Sequence, residues 1–192
     1  LVTENKHKLE EIERFHSLIA QKLSHLAVGK VILISSSAVY GNHKHIFYEY
    51  DTCKPSSNYG RSKLNIENTY LDKFHGNISI FRLGNVLGLD TVGKAFINSN
   101  TRSRYIDCRK DYSTPMRTYV DAQILSDTIL FYIRNLEYLP QKLNIGRKKP
   151  QSMHSAVQEL GIDFEFRITD SVSKDLALDT SQLFKILGRY EV

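Results

Sequence analysis

Two stretches decide the fold: Val31-Ile32-Leu33-Ile34-Ser35-Ser36-Ser37-Ala38-Val39-Tyr40-Gly41, and after it Tyr59-Gly60-Arg61-Ser62-Lys63. The first opens as a β-branched-rich run of the kind that fills a buried parallel strand, then meets serines where the chain must turn. The second sets a Tyr and a Lys four residues apart, one turn from each other on one helix face. An ammonium so placed favours phenolate and is expected to lower the Tyr59 pKa from about 10. A phenol tuned that way serves as general acid or base on a hydroxyl or carbonyl, and a serine at the strand end can hold the same oxygen. Alone, the Tyr–Lys spacing is weak, because exposed helices carry such pairs by chance. Its flanks give it weight.

Leu64, Ile66, Tyr70, Leu71 and Phe74 recur at helical spacing behind the Tyr, and Ile78 to Leu83 reads as a second apolar strand before the tight Gly84-Asn85-Val86-Leu87-Gly88. Strand, serine turn, Tyr/Lys helix and strand put the candidate chemistry at the carboxyl ends of parallel strands, where open α/β sheets bind ligands. Upstream, Leu9, Ile12, Phe15, Ile19, Leu23 and Leu26 predict an amphipathic helix over residues 5 to 26, stopped by Gly29. Downstream the pattern predicts a short strand at Tyr105 to Asp107 and a helix from Ala122 to Asn135 capped by Asp121. A strand at Leu143 to Gly146, a helix at Ser152 to Leu160, a strand at Phe164 to Ile168 and a helix at Ser181 to Leu187 complete it.

With 192 residues, 41% of them hydrophobic and 24% charged, the chain reads as an ordinary globular α/β protein of one domain or a domain plus a small lobe. No apolar run nears the roughly 20 residues that span a bilayer. Cys53 and Cys108 lack metal-ligand spacing and read as free thiols in a reducing cytoplasm, with a single disulfide between them as the alternative. The net charge of +5 suits an anionic nucleotide or diphosphate. His43 and His45 have no third ligand at a defined spacing, so the segment from Asn42 to Asn58 reads as a solvated loop and no metal is expected. Arg102, Arg104, Arg109 and Lys110 read as a solvated basic face.

ISSSAVYG, YGRSK, FRLGNVLG and RTYVD stand in the order seen in extended short-chain dehydrogenases/reductases, the NAD(P)-dependent nucleotide-sugar epimerase/dehydratase group, which this chain resembles from residue 31 to 121. LNIG at 143 to 146 and LDTSQLFKILG at 178 to 188 resemble that family's C-terminal part. The resemblance implies a Rossmann-like doubly wound parallel sheet: residues 1–93 as its later half, 94–192 as a mixed substrate-binding lobe, with 116–146 returning to the sheet. It implies Ser36, Tyr59 and Lys63 as catalytic residues, and Ser35, Tyr59, Lys63 and Leu83 beside NAD or NADP. Lys63 would hold the nicotinamide ribose and tune the Tyr59 phenol, while the Ser35 side chain is expected on backbone. Ser37, Asn85 and Arg117 fall on the substrate side, with Arg117 expected at a diphosphate because a guanidinium suits it bidentately. Glu49 and Pro55 match the acidic residue and proline of the family's loop over the substrate. A nucleotide sugar is the implied small-molecule partner, and a homodimer is compatible with it.

Two departures matter. The family's glycine-rich dinucleotide turn occurs nowhere in these residues, and at about 30 residues per βαβ unit roughly 60 to 80 residues of the pattern are missing upstream. The 192 residues alone are therefore expected to bind NAD(P) weakly, since a pyrophosphate needs that helix N-terminus. Ser37 and Ala38 also stand where the family's dehydratases carry acids, which leaves epimerase or reductase. The competing reading is a non-catalytic binding or assembly module. A Ser/His/Asp hydrolase lacks its G-x-S-x-G elbow, and a nucleic-acid module lacks clustered basic and aromatic residues.

Overall fold

Ile78-Ser79-Ile80-Phe81-Arg82-Leu83 becomes β3 (Ile78–Leu83), the middle strand of a parallel sheet with β1 (Val31–Ser36) on one side and β8 (Lys142–Ile145) on the other. The computed structural model describes residues 5–43, 46–88, 105–135 and 139–188. Ser36, Leu83 and Ile145 stand level at the carboxyl end of the sheet, with Ser35, Arg82 and Asn144 level in the row behind. Because side chains alternate along a strand, these two rows face opposite sides.

Helices cover both faces. α1 (Lys6–Ser24) and α2 (Asn58–Phe74) pack over one, through Ala20, Ile66, Tyr70 and Phe74 against Leu33, Ile78 and Ile80. α3 (Ala122–Arg134) and α5 (Ser181–Ile186) cover the other, with Tyr132 and Leu183 among Phe81, Leu143 and Ile145. Each large apolar side chain taken fully from water contributes about 1.5–3 kcal/mol. These two layers make the sheet doubly wound, the class the sequence implied.

A smaller set of paired segments lies beyond the sheet. β5 (Tyr105–Cys108) pairs in parallel with β10 (Glu165–Ile168), backed by α4 (Met153–Glu159) through Ile106 and Val157. β6 (Met116–Arg117) runs antiparallel to β9 (Gln151–Ser152), and β7 (Tyr119–Val120) parallel to β4 (Asn85–Val86). β2 (Ile46–Phe47) pairs with β11 (Ala177–Leu178). Residues 116–120 thus run alongside the segment that follows β3, and the chain then passes through α3 into β8. Asp121 caps α3, its carboxylate accepting from the Ile124 amide at 2.9 Å. The boundary expected at 93/94, His45, Arg102 and Arg104 lie outside the described residues. Cys53 and Cys108 are both free.

The first helix differs from its sequence reading. It ends at Ser24, before Gly29, and its inner face carries Leu9, Ala20 and the polar Glu13 and His16. Ile12, Phe15 and Leu26 stay open to solvent, Phe15 at 62%. The cause is what α2 offers: Asn65 donates to Glu13 at 3.1 Å and the Tyr70 hydroxyl meets His16 Nδ1 at 3.3 Å, so a polar line joins the two helices. Burial, reinforced by the Lys63 charge, lowers the His16 pKa below 6.5. The folded chain then binds fewer protons there than the unfolded one, so the penalty is absent above 6.5 and grows as pH falls through the folded value. Urea denaturation of His16→Gln should lose less stability between pH 7 and pH 5 than the unaltered chain does. An equal loss would place the acid sensitivity elsewhere.

Candidate active site

Ser36 ends β1 with its hydroxyl accepting from the Ala38 amide at 3.2 Å, which turns the chain into a single 3₁₀ turn, Ser37–Val39. The N-terminus of α2 comes directly against that turn. A Cβ on Gly60 would collide with the Ala38 carbonyl, so the approach needs glycine at this position. Ser57 caps the helix by accepting from the Gly60 amide at 3.0 Å. Because α2 starts at Asn58, Tyr59 already lies in its first turn, and Lys63 follows one turn on.

Ser36, Tyr59 and Lys63 come together. The Ser36 hydroxyl faces the Tyr59 phenol closely enough to favour its ionised form, and the Lys63 Nζ lies 6.0 Å from the Tyr59 ring centroid while donating to the Ile34 carbonyl at 3.4 Å. The expected lowering of the Tyr59 pKa is not what results. Burial raises it, and the Ser36 hydroxyl only partly offsets that rise. The ammonium sits by the strand carbonyl rather than at the phenol oxygen, and its own pKa is lowered by burial, with the Glu67 charge opposing. Tyr59 is a protonated phenol at neutral pH in the ligand-free chain, poised to donate.

Behind the cluster lies a buried polar layer that the sequence reading missed. Ser35 donates to Glu67 Oε1 at 2.6 Å, and Arg82 donates to the same carboxylate through Nε at 3.1 Å and Nη2 at 2.7 Å. This corrects the backbone partner expected for Ser35, whose side chain points into the α2 face, opposite to that of Ser36. The Arg82 guanidinium stacks on the Tyr40 ring at 4.7 Å, and the Tyr40 hydroxyl donates to Asn144 Oδ1 at 2.7 Å. Asn144 Nδ2 donates on to the Phe47 and Asp179 carbonyls, and its amide to Glu49. A charge inside an apolar run, Arg82 in Ile78 to Leu83, was the available signal: buried charges are paired.

The remaining candidates separate. Leu83 stands level with Ser36 at the sheet's carboxyl end. Ser37 is buried in the 3₁₀ turn, and Asn85 joins β4 with its amide on the Thr118 carbonyl at 2.8 Å. Arg117 Nη1 donates to the Met116 and Lys174 carbonyls and Nη2 to Ser173 Oγ, so the guanidinium ties β6 to residues 173–174. A cavity of about 520 Å³ lined by Tyr48, Glu49, Lys142 and Asp179 shares no residue with the cluster. No group of three or more His, Cys, Asp or Glu among the described residues could hold a metal, and no described helix is long and apolar enough to cross a membrane.

Lys63 is the test of fit for a dinucleotide. Its ammonium has three donors and one bonded carbonyl, which leaves donors for a ribose hydroxyl beside Tyr59. The residues present fit the nicotinamide end of NAD.

A parallel sheet covered on both faces, with a serine turn and a Tyr/Lys helix at its carboxyl edge, defines a Rossmann-like protein of the short-chain dehydrogenase kind. The model of the NAD-dependent epimerase/dehydratase family matches residues 14–146, and the chain belongs to that family. No curated protein matches it in sequence. Among solved structures it is similar to UDP-glucuronic acid 4-epimerase from Bacillus cereus in complex with UDP-glucuronic acid and NAD, at 20% identity and TM-score 0.71, covering 92% of this chain and 61% of that one. UDP-galactose 4-epimerase follows at 22% identity and TM-score 0.65, covering 88% and 60%. An NAD-dependent NDP-hexosamine 5,6-dehydratase follows at 17% and 0.71, covering 94% and 64%. The chain thus spans less than two thirds of the length of each of these proteins.

Proposed function

We propose that this chain carries the acid–base half of an NAD-dependent nucleotide-sugar epimerase or reductase. The observation that carries the reading is the gathering of Ser36, Tyr59 and Lys63 at the carboxyl edge of a parallel sheet, with the Lys63 ammonium 6.0 Å from the Tyr59 ring centroid. Tyr59 exchanges a proton with a sugar hydroxyl or carbonyl oxygen, and Ser36 holds that oxygen in line. Lys63 binds the ribose of the dinucleotide. NAD, when bound, supplies the hydride acceptor and a positive charge that favours the phenolate. NAD is the cofactor named with the UDP-glucuronic acid 4-epimerase and the 5,6-dehydratase above, and UDP-sugars are the substrates named with both epimerases.

Elimination of water is disfavoured. Ser37 and Ala38 carry no carboxylate, and the nearby Glu49 and Glu67 are committed to the Asn144 amide and to Arg82. Ile12, Phe15 and Leu18, exposed along α1, suit a second copy of the chain and support a homodimer. A binding or assembly role without catalysis is the second reading. It is favoured by the raised Tyr59 pKa and by Arg117 being bonded within its own chain.

Lys63→Ala separates the two readings. In the whole protein it should weaken NAD binding in calorimetric titration and slow turnover together, because one ammonium serves ribose and phenol. Unchanged NAD affinity would remove Lys63 from the cofactor site.

A further inference from the structure

We propose that Glu67 is a positioning residue for the Ser36–Tyr59–Lys63 cluster, clamping the serine-bearing strand to the helix that carries Tyr59 and Lys63; this rests on reading that cluster as the acid–base site. Positions 59, 63 and 67 follow at four-residue steps and lie along one stripe of α2. From the far end of that stripe a single carboxylate reaches two strands. It accepts from Ser35, the residue before Ser36 on β1, and twice from Arg82, the residue before Leu83 on β3.

The side chains of Arg82 and Glu67 are each 1% exposed, so water cannot replace a lost partner and the geometry is all or nothing. A shift of α2 along the sheet would break all three bonds at once. The same register sets the Tyr59 phenol facing Ser36 and Lys63 Nζ on the Ile34 carbonyl. The carboxylate is also the anion that holds the Lys63 ammonium against its burial, while His16 on α1 and Arg82 on β3 bring no further negative charge. Ser35 and Glu67 thus act through Ser36, Tyr59 and Lys63 rather than on a ligand.

The test uses two variants and a readout that needs no turnover. Glu67→Met with Arg82→Met removes both charges while keeping apolar volume, an exchange that buried ion pairs tolerate. Ser35→Ala cuts only the strand link and leaves the ion pair in place. In 13C-lysine-labelled protein the Lys63 signal, assigned with Lys63→Arg, should titrate at a lower pH in the double variant than in wild type. Ser35→Ala should lower kcat roughly 10–100-fold at unchanged KM, as a small misplacement of reacting groups does. An unchanged Lys63 midpoint in the folded double variant, or an unchanged kcat in folded Ser35→Ala, overturns the clamp. Turnover that survives Tyr59→Phe overturns the reading of the cluster instead, and the Lys63 titration tests the clamp even then.

Discussion

Tyr59→Phe should slow NAD-linked turnover by about 10²–10⁴-fold, the range that a general acid–base group contributes. The fold should survive it. The ring stays, and Ser36 keeps its bond to the Ala38 amide when the phenol is gone. Circular dichroism and steady-state kinetics on the same preparation separate the two effects, and a retained rate would move the proton transfer to another group. The phenol itself can be followed in the ligand-free protein by its 13Cζ signal. Burial disfavours the phenolate, so Tyr59 should titrate above its ordinary value of about 10. A midpoint below that value would restore the lysine-tuned phenol that the spacing suggested.

The largest stability effect is expected at the Glu67–Arg82 pair. Removing either partner by Glu67→Ala or Arg82→Ala leaves a charge in the core and costs about 3–5 kcal/mol. Typical domains hold only about 5–15 kcal/mol in all, so either variant should unfold at markedly lower urea or fail to accumulate folded. Burial opposes the Arg82 charge, but the Glu67 carboxylate overcomes it and holds the arginine fully protonated. Urea curves of both single variants and of the paired methionine variant decide this. The singles should fall well below the double, and equal midpoints for all three would mean the charges are not what the core depends on.

The main strands and the longer helices could be read from periodicity, because Val31 to Ile34, Ile78 to Leu83 and the stripe from Leu64 to Phe74 each match one period without conflict, whereas the two-residue β2 with its buried Phe47 lies in the stretch read as a solvated loop. The Tyr59–Lys63 spacing likewise brought the two residues to one helix face. Contacts that depend on register could not be read. Ser35, Arg82 and Asn144 form one row only because β1, β3 and β8 pair as they do, and a single sequence does not specify that pairing. The Tyr59 pKa depended on where the ammonium ends, and an i, i+4 spacing fixes the helix face but not the distance from Nζ to the phenol oxygen. Arg117 was read from its neighbours Thr118 to Asp121, while its partners stand 56 and 57 positions away at Ser173 and Lys174. In α1 the apolar spacing was real, but the partner helix presents Asn65 and Tyr70, so polar residues took part of the inner face.

Hydride-coupled proton transfer by Ser36, Tyr59 and Lys63 on a nucleotide sugar, without loss of water, leaves a distinct product mass. Its most direct test is to incubate the whole protein with NAD and a panel of UDP-, GDP- and dTDP-sugars and follow the products by mass spectrometry, with Tyr59→Phe in parallel. The expected product has unchanged mass with altered sugar stereochemistry, or differs by two hydrogens, and is lost in the Phe variant. A product lighter by one water, or no turnover of any sugar in the panel, would contradict it.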